Sequence, residues 1–344
     1  LQKEITIASK GNILAIESSC DETSAAVLRD GELASVVISS QMFHKGYGGI
    51  VPELASRAHA KTIIPIVEET LKKANISSQE IDAVAVTYAP GLMGSLLVGS
   101  NFAKGFALSL DVPLIGVHHI EAHIFSVLLE EDKPQLPFIA LIVSGGHTLL
   151  VLVEDVGKYK ILGKTLDDAA GEAFDKVGKM LGLGYPAGPV IDKLATDGNP
   201  SFVQFPRPMM NDANYDFSFS GIKTSMLYYL RDNPSVKDTN VKDVAASFQR
   251  AVVDVLVTKS MRAAREYEVT DIVCVGGVST QSELSTTFQE ECKRSGKRFY
   301  SPRPLFSTDN AAMIAMTGAL KWQRGIVSPL SLQSQPRVPL TEVL

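Results

Sequence analysis

Cysteine is scarce in this chain, with only Cys20, Cys274 and Cys292 among 344 residues. Their wide separation excludes a disulfide-stapled scaffold and a paired-cysteine zinc site, and it suits a reducing compartment. Positive charge is not in excess: 33 Lys and Arg against 38 Asp and Glu leave a formal charge of −5. RNA binding carried by overall charge is thereby excluded, and any such contact needs a local basic patch or a partner. Long apolar runs are also missing. The longest, such as "LPFIALIV", read as buried strands, so no membrane span is expected. The first residues, "LQKEITIASKGN", lack a charged-then-apolar pattern and contain Glu4, so no targeting peptide is expected and a cytoplasmic location is. There is no GxxxxGK followed by Ser or Thr, which excludes a Walker loop, and no GxGxxG after the first strand, which argues against a dinucleotide dehydrogenase.

What the sequence does contain is a pattern stated twice. "NILAIESSCDETSAAVLRDGELASVVISS" reads as strand, polar loop, strand, turn, strand, and "FIALIVSGGHTLLVLVEDVGKYKILGK" repeats that order. Each half then holds a strand running into a glycine loop and a helix, "AVAVTYAPGLMGSLLVGSNFAKGFAL" and "DIVCVGGVSTQSELSTTFQEE". Two copies imply two related α/β lobes, each with a mixed sheet covered by helices. Between them "LEEDKPQLP", residues 129 to 137, reads as a linker. We place residues 1–128 plus 306–344 in the first lobe and 129–305 in the second.

The helix beginning at Val241 carries an apolar stripe of Val241, Val244, Phe248, Val252, Val255 and Leu256, which is core. Residues 197 to 221, rich in Pro, Asn and Asp and without a period, read as a long ordered excursion or a mobile flap.

The stretch "VHHIEAHIF" places His119 and His123 one helical turn apart. That spacing suits half a metal site, and it equally suits two ordinary hydrogen-bonding histidines. Glu121 is in the wrong register for the HExxH helix of a zinc protease. Asp309, ahead of a helix in "FSTDNAAMIA", is available as a third ligand or as a helix cap. Two imidazoles and a carboxylate leave positions open for water or substrate oxygens. The loop "ESSCDETS" brings Glu17, Asp21 and Glu22 to a strand end, where carboxylates orient a metal or nucleophile or remain solvated turn residues. The loops "YAPGLMGS", with Ser95 starting a helix, "SGGH" and "VGGVS" can each bring bare backbone to a phosphate, although glycine after a strand often serves only the turn.

Taken together, "AIESSCDETSAAV", "YAPGLMGSLLVGSNFAKG", "VHHIEAH", "VSGGHT", "DDAAGEAFDKVGKMLGLGYPAGP", "FSFSGIKTS", "GGVS" and "TDNAAMIA" resemble, in order, the motifs of the tRNA adenosine threonylcarbamoyltransferases of the bacterial TsaD type, from about residue 13 to 331. The resemblance implies two ribonuclease-H-like lobes of the actin, Hsp70 and sugar-kinase type, with a nucleotide and metal cleft between them. It implies transfer of threonylcarbamoyl from threonylcarbamoyl-AMP to N6 of adenosine 37 in tRNAs reading ANN codons, with release of AMP. Carried over residue by residue, the metal ligands are His119, His123 and Asp309, holding one divalent ion per subunit, iron foremost with zinc or manganese as alternatives. The phosphate and acyl end falls on Ser144, Gly145, Gly146 and His147, the nucleoside on Asp175, Gly188 and Asp192, and the activity-linked carboxylates on Asp21 and Glu22. Gln281 departs from the family's GGVxxN, keeping the amide on a longer arm.

The implied partners are tRNA, a noncatalytic paralogue subunit and a P-loop ATPase. Lys45, Arg57, Lys61, Arg207 and Lys223 are basic candidates for RNA contact, each equally readable as a solvated charge. Competing readings are a kinase-like phosphotransferase, which has no need of "HHIEAH" and "STDNA", a metal-dependent glycopeptidase, and an inactive nucleotide-binding scaffold.

Overall fold

The computed structural model describes residues 3–6, 10–41 and 50–342. Its contacts divide the chain into two units. One comprises Glu4–Lys133, Asp155–Tyr159 and Pro302–Leu344; the other comprises Leu1–Lys3, Pro134–Glu154 and Lys160–Ser301.

In the first lobe, β1 (Asn12–Glu17), β2 (Glu22–Arg29) and β3 (Glu32–Ser40) form a meander, and β4 (Ala83–Ala89) and β5 (Leu114–His118) extend it in the order β3-β2-β1-β4-β5. β1 pairs antiparallel with β2 and parallel with β4. Asp30 and Gly31, at φ 51° and 85°, make the two-residue turn between β2 and β3, whose positive φ values match the twist of a hairpin. Helices α1 (Pro52–Ala74) and α2 (Met93–Leu110) pack on the sheet. Leu14 and Ile16 join Ile63, Ile66 and Val67 of α1 and Ala103 and Ala107 of α2 in one core. α3 (His119–Phe125) follows β5 without a loop.

The second lobe restates the same plan. β6 (Phe138–Val143), β7 (Thr148–Asp155) and β8 (Lys158–Lys164) precede α4 (Ala170–Leu181), α5 (Gly188–Ala195), α6 (Ser220–Asp232) and α7 (Val241–Glu266). β9 (Asp271–Val275), α8 (Ser282–Arg294) and β10 (Arg298–Tyr300) complete it, in the order β8-β7-β6-β9-β10. β6 pairs antiparallel with β7 and parallel with β9. The identical strand order is the duplicated, ribonuclease-H-like arrangement expected from the sequence. Val244, Phe248, Val252, Val255 and Leu256 of the α7 stripe are buried, and Val241 is partly buried against them.

The chain returns to the first lobe for α9 (Ala311–Gln323), which lies so close to β4 that a Cβ on Gly318 would stand 2.7 Å from the Ala85 methyl. No described helix is long and apolar enough to cross a membrane.

Candidate metal centre and glycine-loop surface

α3 is buried along its whole length, and the i, i+4 spacing turns both imidazoles the same way. His119 and His123 stack edge to face with centroids 4.7 Å apart. Asp309 comes from the segment ahead of α9. Its Oδ1 lies 3.4 Å from His119 Nε2 and 3.1 Å from His123 Nε2. One ligand atom from each of the three residues falls within 4.8 Å of the others. Asp309 does not cap α9, contrary to one expectation from the sequence. Asn310 is the cap and accepts from Met313 N at 3.1 Å, which leaves the Asp309 carboxylate to the histidines.

Behind His119 stands Glu17, fully buried at the end of β1, with Oε2 3.1 Å from Nδ1. Burial disfavours charge on both groups. For His119 the negative charges of Asp309 and Glu17 outweigh it and hold the imidazole well above its usual pKa. Asp309 is likewise held well below the carboxylate range, its burial outweighed by His119 and then His123. One buried and one half-buried carboxylate thus favour a positive charge at this point, and a divalent cation on the three ligand atoms satisfies that demand. The donor set fits such an ion. Glu121 takes no part: it is buried between Tyr159, whose hydroxyl donates to Oε1 at 2.7 Å, and Lys321, whose Nζ lies 3.4 Å from Oε2.

Asp21 closes the β1–β2 turn of the same lobe and Glu22 opens β2. Burial, then the negative charges of Asp309 and Asp21, push the Glu22 carboxyl up to about 9. Burial and the same carboxylates push the Cys20 thiol far above its ordinary value, so it is not a thiolate nucleophile.

The glycine loop of the first lobe is closed by protein. A Cβ on Gly91 would meet Ser19 O at 2.6 Å, and beyond the loop, on α2, one on Gly99 would meet Ser18 Oγ at 2.2 Å. α2 begins at Met93, two residues ahead of Ser95, and Ser95 is buried with its hydroxyl on Cys20 O at 3.1 Å. Of the two readings of "YAPGLMGS", the structure favours the turn: Gly91 admits the Ser19 backbone, and Gly94 packs on Ser56 of α1.

The second lobe differs. Gly145, Gly146 and Gly277 have open space at the Cβ position. Ser144 closes the "SGGH" turn, accepting from His147 N at 3.1 Å, and Gly171 N donates to Ser144 O at 3.2 Å, which seats α4 behind the turn. From α4, Asp175 accepts from Ala187 N at 2.8 Å at the start of α5. Asp192 on α5 accepts from Gln249 Nε2 at 2.8 Å and Ser282 N at 3.1 Å. Gln281 Nε2 stands 3.8 Å from the Cβ position of Gly188, and its buried Oε1 has no partner among the described residues. Asp175, Gly188, Asp192 and Gln281 thus form one linked group on helices α4, α5 and α8.

Residues 197 to 221 are a pinned excursion. Arg207 pairs with Asp254 at 2.9 Å, Lys259 and Arg262 hold the backbone carbonyls of Asp212, Asn214 and Asp216, and Asp167 takes Ser218, Phe219 and Ser220. Lys223 binds Asp168 at 2.6 Å. Arg207 and Lys223 are therefore internal fasteners. Arg57 pairs with Glu53 at 2.6 Å on the outer face of α1, and Lys61 is exposed on that helix. Lys45 lies outside the described residues. Sequence reasoning singled out Glu17 but missed Thr87 and Ser19, which hold it. Thr87 carries no sequence signal because it arrives from another strand, whereas Ser19 lies two positions from Glu17 in the same loop.

A family model described as tRNA N6-adenosine threonylcarbamoyltransferase matches residues 32–316. A curated protein of that name from Chlorobium phaeobacteroides (strain BS1) is 49% identical over 338 residues, covering 94% of this chain and 97% of its own. Another from Chlorobium limicola (strain DSM 245 / NBRC 103803 / 6330) is 52% identical over 329 residues, covering 92% and 93%. Among solved structures, the Acidaminococcus fermentans (R)-2-hydroxyglutaryl-CoA dehydratase component A superposes with a TM-score of 0.54 at 15% identity, covering 90% of this chain and 97% of that one. That likeness concerns the fold alone, and the fold is that of actin, Hsp70 and the sugar kinases.

Proposed function

This chain belongs to the tRNA N6-adenosine threonylcarbamoyltransferase family, and from that premise we propose that it modifies tRNA in the cytoplasm. It moves the threonylcarbamoyl group from threonylcarbamoyl-AMP to N6 of adenosine 37 in tRNAs reading ANN codons. The observation that carries the reading is the convergence of His119, His123 and Asp309, drawn from two distant motifs, on one point backed by a buried carboxylate.

The donor is a mixed anhydride and is already activated, so no covalent enzyme intermediate is needed. The exocyclic amine attacks the carbonyl carbon, a C–N bond forms, the C–O bond to phosphate breaks, and AMP leaves with the electron pair. Asp21 accepts the proton released from the amine, with Glu22 next to it in the chain. The open backbone at Gly145 and Gly146, in the turn that Ser144 and His147 close, receives the phosphate, and Asp175, Gly188, Asp192 and Gln281 the nucleoside. His119, His123 and Asp309 hold a divalent ion, iron foremost, which when bound supplies Lewis-acid stabilisation of oxygen charge. A noncatalytic paralogue subunit and a P-loop ATPase belong to the same reading as partners. The target base must be unpaired to expose its amine.

Nucleoside mass spectrometry of tRNA from cells depleted of this protein tests the proposal. Loss of threonylcarbamoyladenosine, restored by wild type and not by Asp309→Ala, is the expected result. Persistence of the nucleoside in a cell with no redundant enzyme sinks it.

A further inference from the structure

We propose that Glu17 is a positioning residue for the metal centre: it holds Nδ1–H of His119 so that the Nε2 lone pair is the one presented beside Asp309. The inference rests on the reading of His119, His123 and Asp309 as metal ligands. Glu17 is 0% exposed, and among the described residues its one ion-pair partner is His119. A carboxylate buried so completely needs every oxygen satisfied. Oε1 accepts from Ser19 N at 2.5 Å, and Oε2 accepts from Thr87 Oγ1 at 2.6 Å while facing His119 Nδ1 at 3.1 Å. Both anchors are rigid, since Glu17 ends β1 and Thr87 lies on the parallel neighbour β4.

A carboxylate offers only acceptors, so the ring nitrogen facing it must carry hydrogen. The other nitrogen also faces a carboxylate and is the one that gives up its proton to a metal ion. That nitrogen is Nε2, 3.4 Å from Asp309 Oδ1. The Ser19 hydroxyl, 3.2 Å from Nδ1, completes the pocket around that edge of the ring.

His123 provides the contrast. Its Nε2 also meets Asp309, at 3.1 Å, but its buried Nδ1 has no partner among the described residues. The carboxylate that faces it is Asp309, itself one of the three ligands, and none holds the far nitrogen among the described residues. The two imidazoles are therefore unequal: His119 is oriented before a metal arrives, and His123 adapts to it. Partners of this kind are worth about 10- to 100-fold in metal affinity.

The test measures Zn²⁺ affinity of the full chain by chelator competition, together with ¹⁵N-histidine NMR of the Zn²⁺-loaded wild type. Glu17→Gln and Glu17→Met are expected to bind Zn²⁺ about 10- to 100-fold more weakly. In the wild-type spectrum His119 should be metallated at Nε2 and keep its Nδ1 proton. Metallation of His119 at Nδ1, or affinities of both variants within twofold of wild type, overturns the proposal. The wild-type spectrum decides even where a variant does not fold, and a purely structural role for Glu17 would not select one ring nitrogen. Asp309→Ala separates the two readings. If Zn²⁺ binding survives that change at full strength, the metal centre itself is misassigned and the positioning role falls with it.

Discussion

The two lobes share a strand order and differ in what fills their loops. In the first, the turns at the strand ends are packed shut by Ser18 and Ser19 against Gly99 and Gly91, and the polar residues beneath them converge on His119. In the second, Gly145, Gly146 and Gly277 face open space, and the polar group comes from helices α4, α5 and α8. A duplicated fold thus supplies equivalent strand-end positions, and the side chains there decide whether backbone is offered to a ligand or consumed by the protein. Glycine in a loop signals close approach; the sequence does not say by what.

Each lobe also buries a lysine on a long helix, and the partners differ. Lys259 on α7 is met by the carbonyls of Asn214 and Asp216, whereas Lys321 on α9 lies beside the buried carboxylate of Glu121. The largest effect we expect follows from that difference. Lys321→Met should lower stability by about 3–5 kcal/mol, because it strands the Glu121 charge in the core. Adding Glu121→Gln should return much of that loss in a denaturant titration. If the single variant is as stable as wild type, Lys321 is not what offsets the burial of Glu121 and the contrast with Lys259 disappears.

Next in size is Asp309→Ala. Removal of a direct ligand should cost more than the roughly 100-fold that bounds the loss of an outer partner. Bound metal after dialysis and single-turnover transfer to tRNA should fall together, while the second lobe's affinity for AMP stays unchanged. Loss of both functions at once would mean that the lobes do not divide the labour as described.

Much of this plan was legible before any coordinates. The repeated strand–loop–strand pattern, the α7 stripe and the i, i+4 histidines all express short-range periodicities, which a sequence displays directly. Whether Asp309 caps α9 or holds a metal stays open in the sequence, because Asp309 and Asn310 are adjacent and both suit a cap, and only geometry separates them. The fastening of residues 197 to 221 was out of reach for a different reason. Arg207 and Lys223 are exposed-type residues whose partners, Asp254 and Asp168, lie 47 and 55 positions away. No local pattern distinguishes such a fastener from a solvated charge. Thr87 reaches Glu17 in the same way, 70 positions along the chain and from the neighbouring strand β4.

A pair of glycine variants sharpens the contrast between closed and open loops. Gly91→Ala drives a methyl into the Ser19 carbonyl, where backbone must move, and overpacking of that kind costs about 1–3 kcal/mol. Gly145→Ala meets nothing, so stability should stay within about 0.5 kcal/mol of wild type. Its effect should instead be weaker AMP binding, read by calorimetry. Equal stability losses in the two variants would show that openness at Gly145 has no bearing on ligand approach.

The smallest effect belongs to Gln281, and it probes the second lobe most directly. Its buried Oε1 lacks a partner among the described residues, although the side chain leads the N-terminus of α8 beside Gly188. A buried amide oxygen left unpaired is a cost in the free protein that a ligand donor can remove. Gln281→Ala should therefore leave stability level or slightly raised and weaken AMP binding by about 1 kcal/mol, roughly five- to tenfold. Gln281→Asn keeps the amide on a shorter arm, and partial retention of affinity would locate the ligand within reach of either length. If Ala, Asn and wild type bind AMP alike while Asp309→Ala alone abolishes transfer, the open surface of the second lobe serves another purpose and the chemistry must be sought on the first lobe alone.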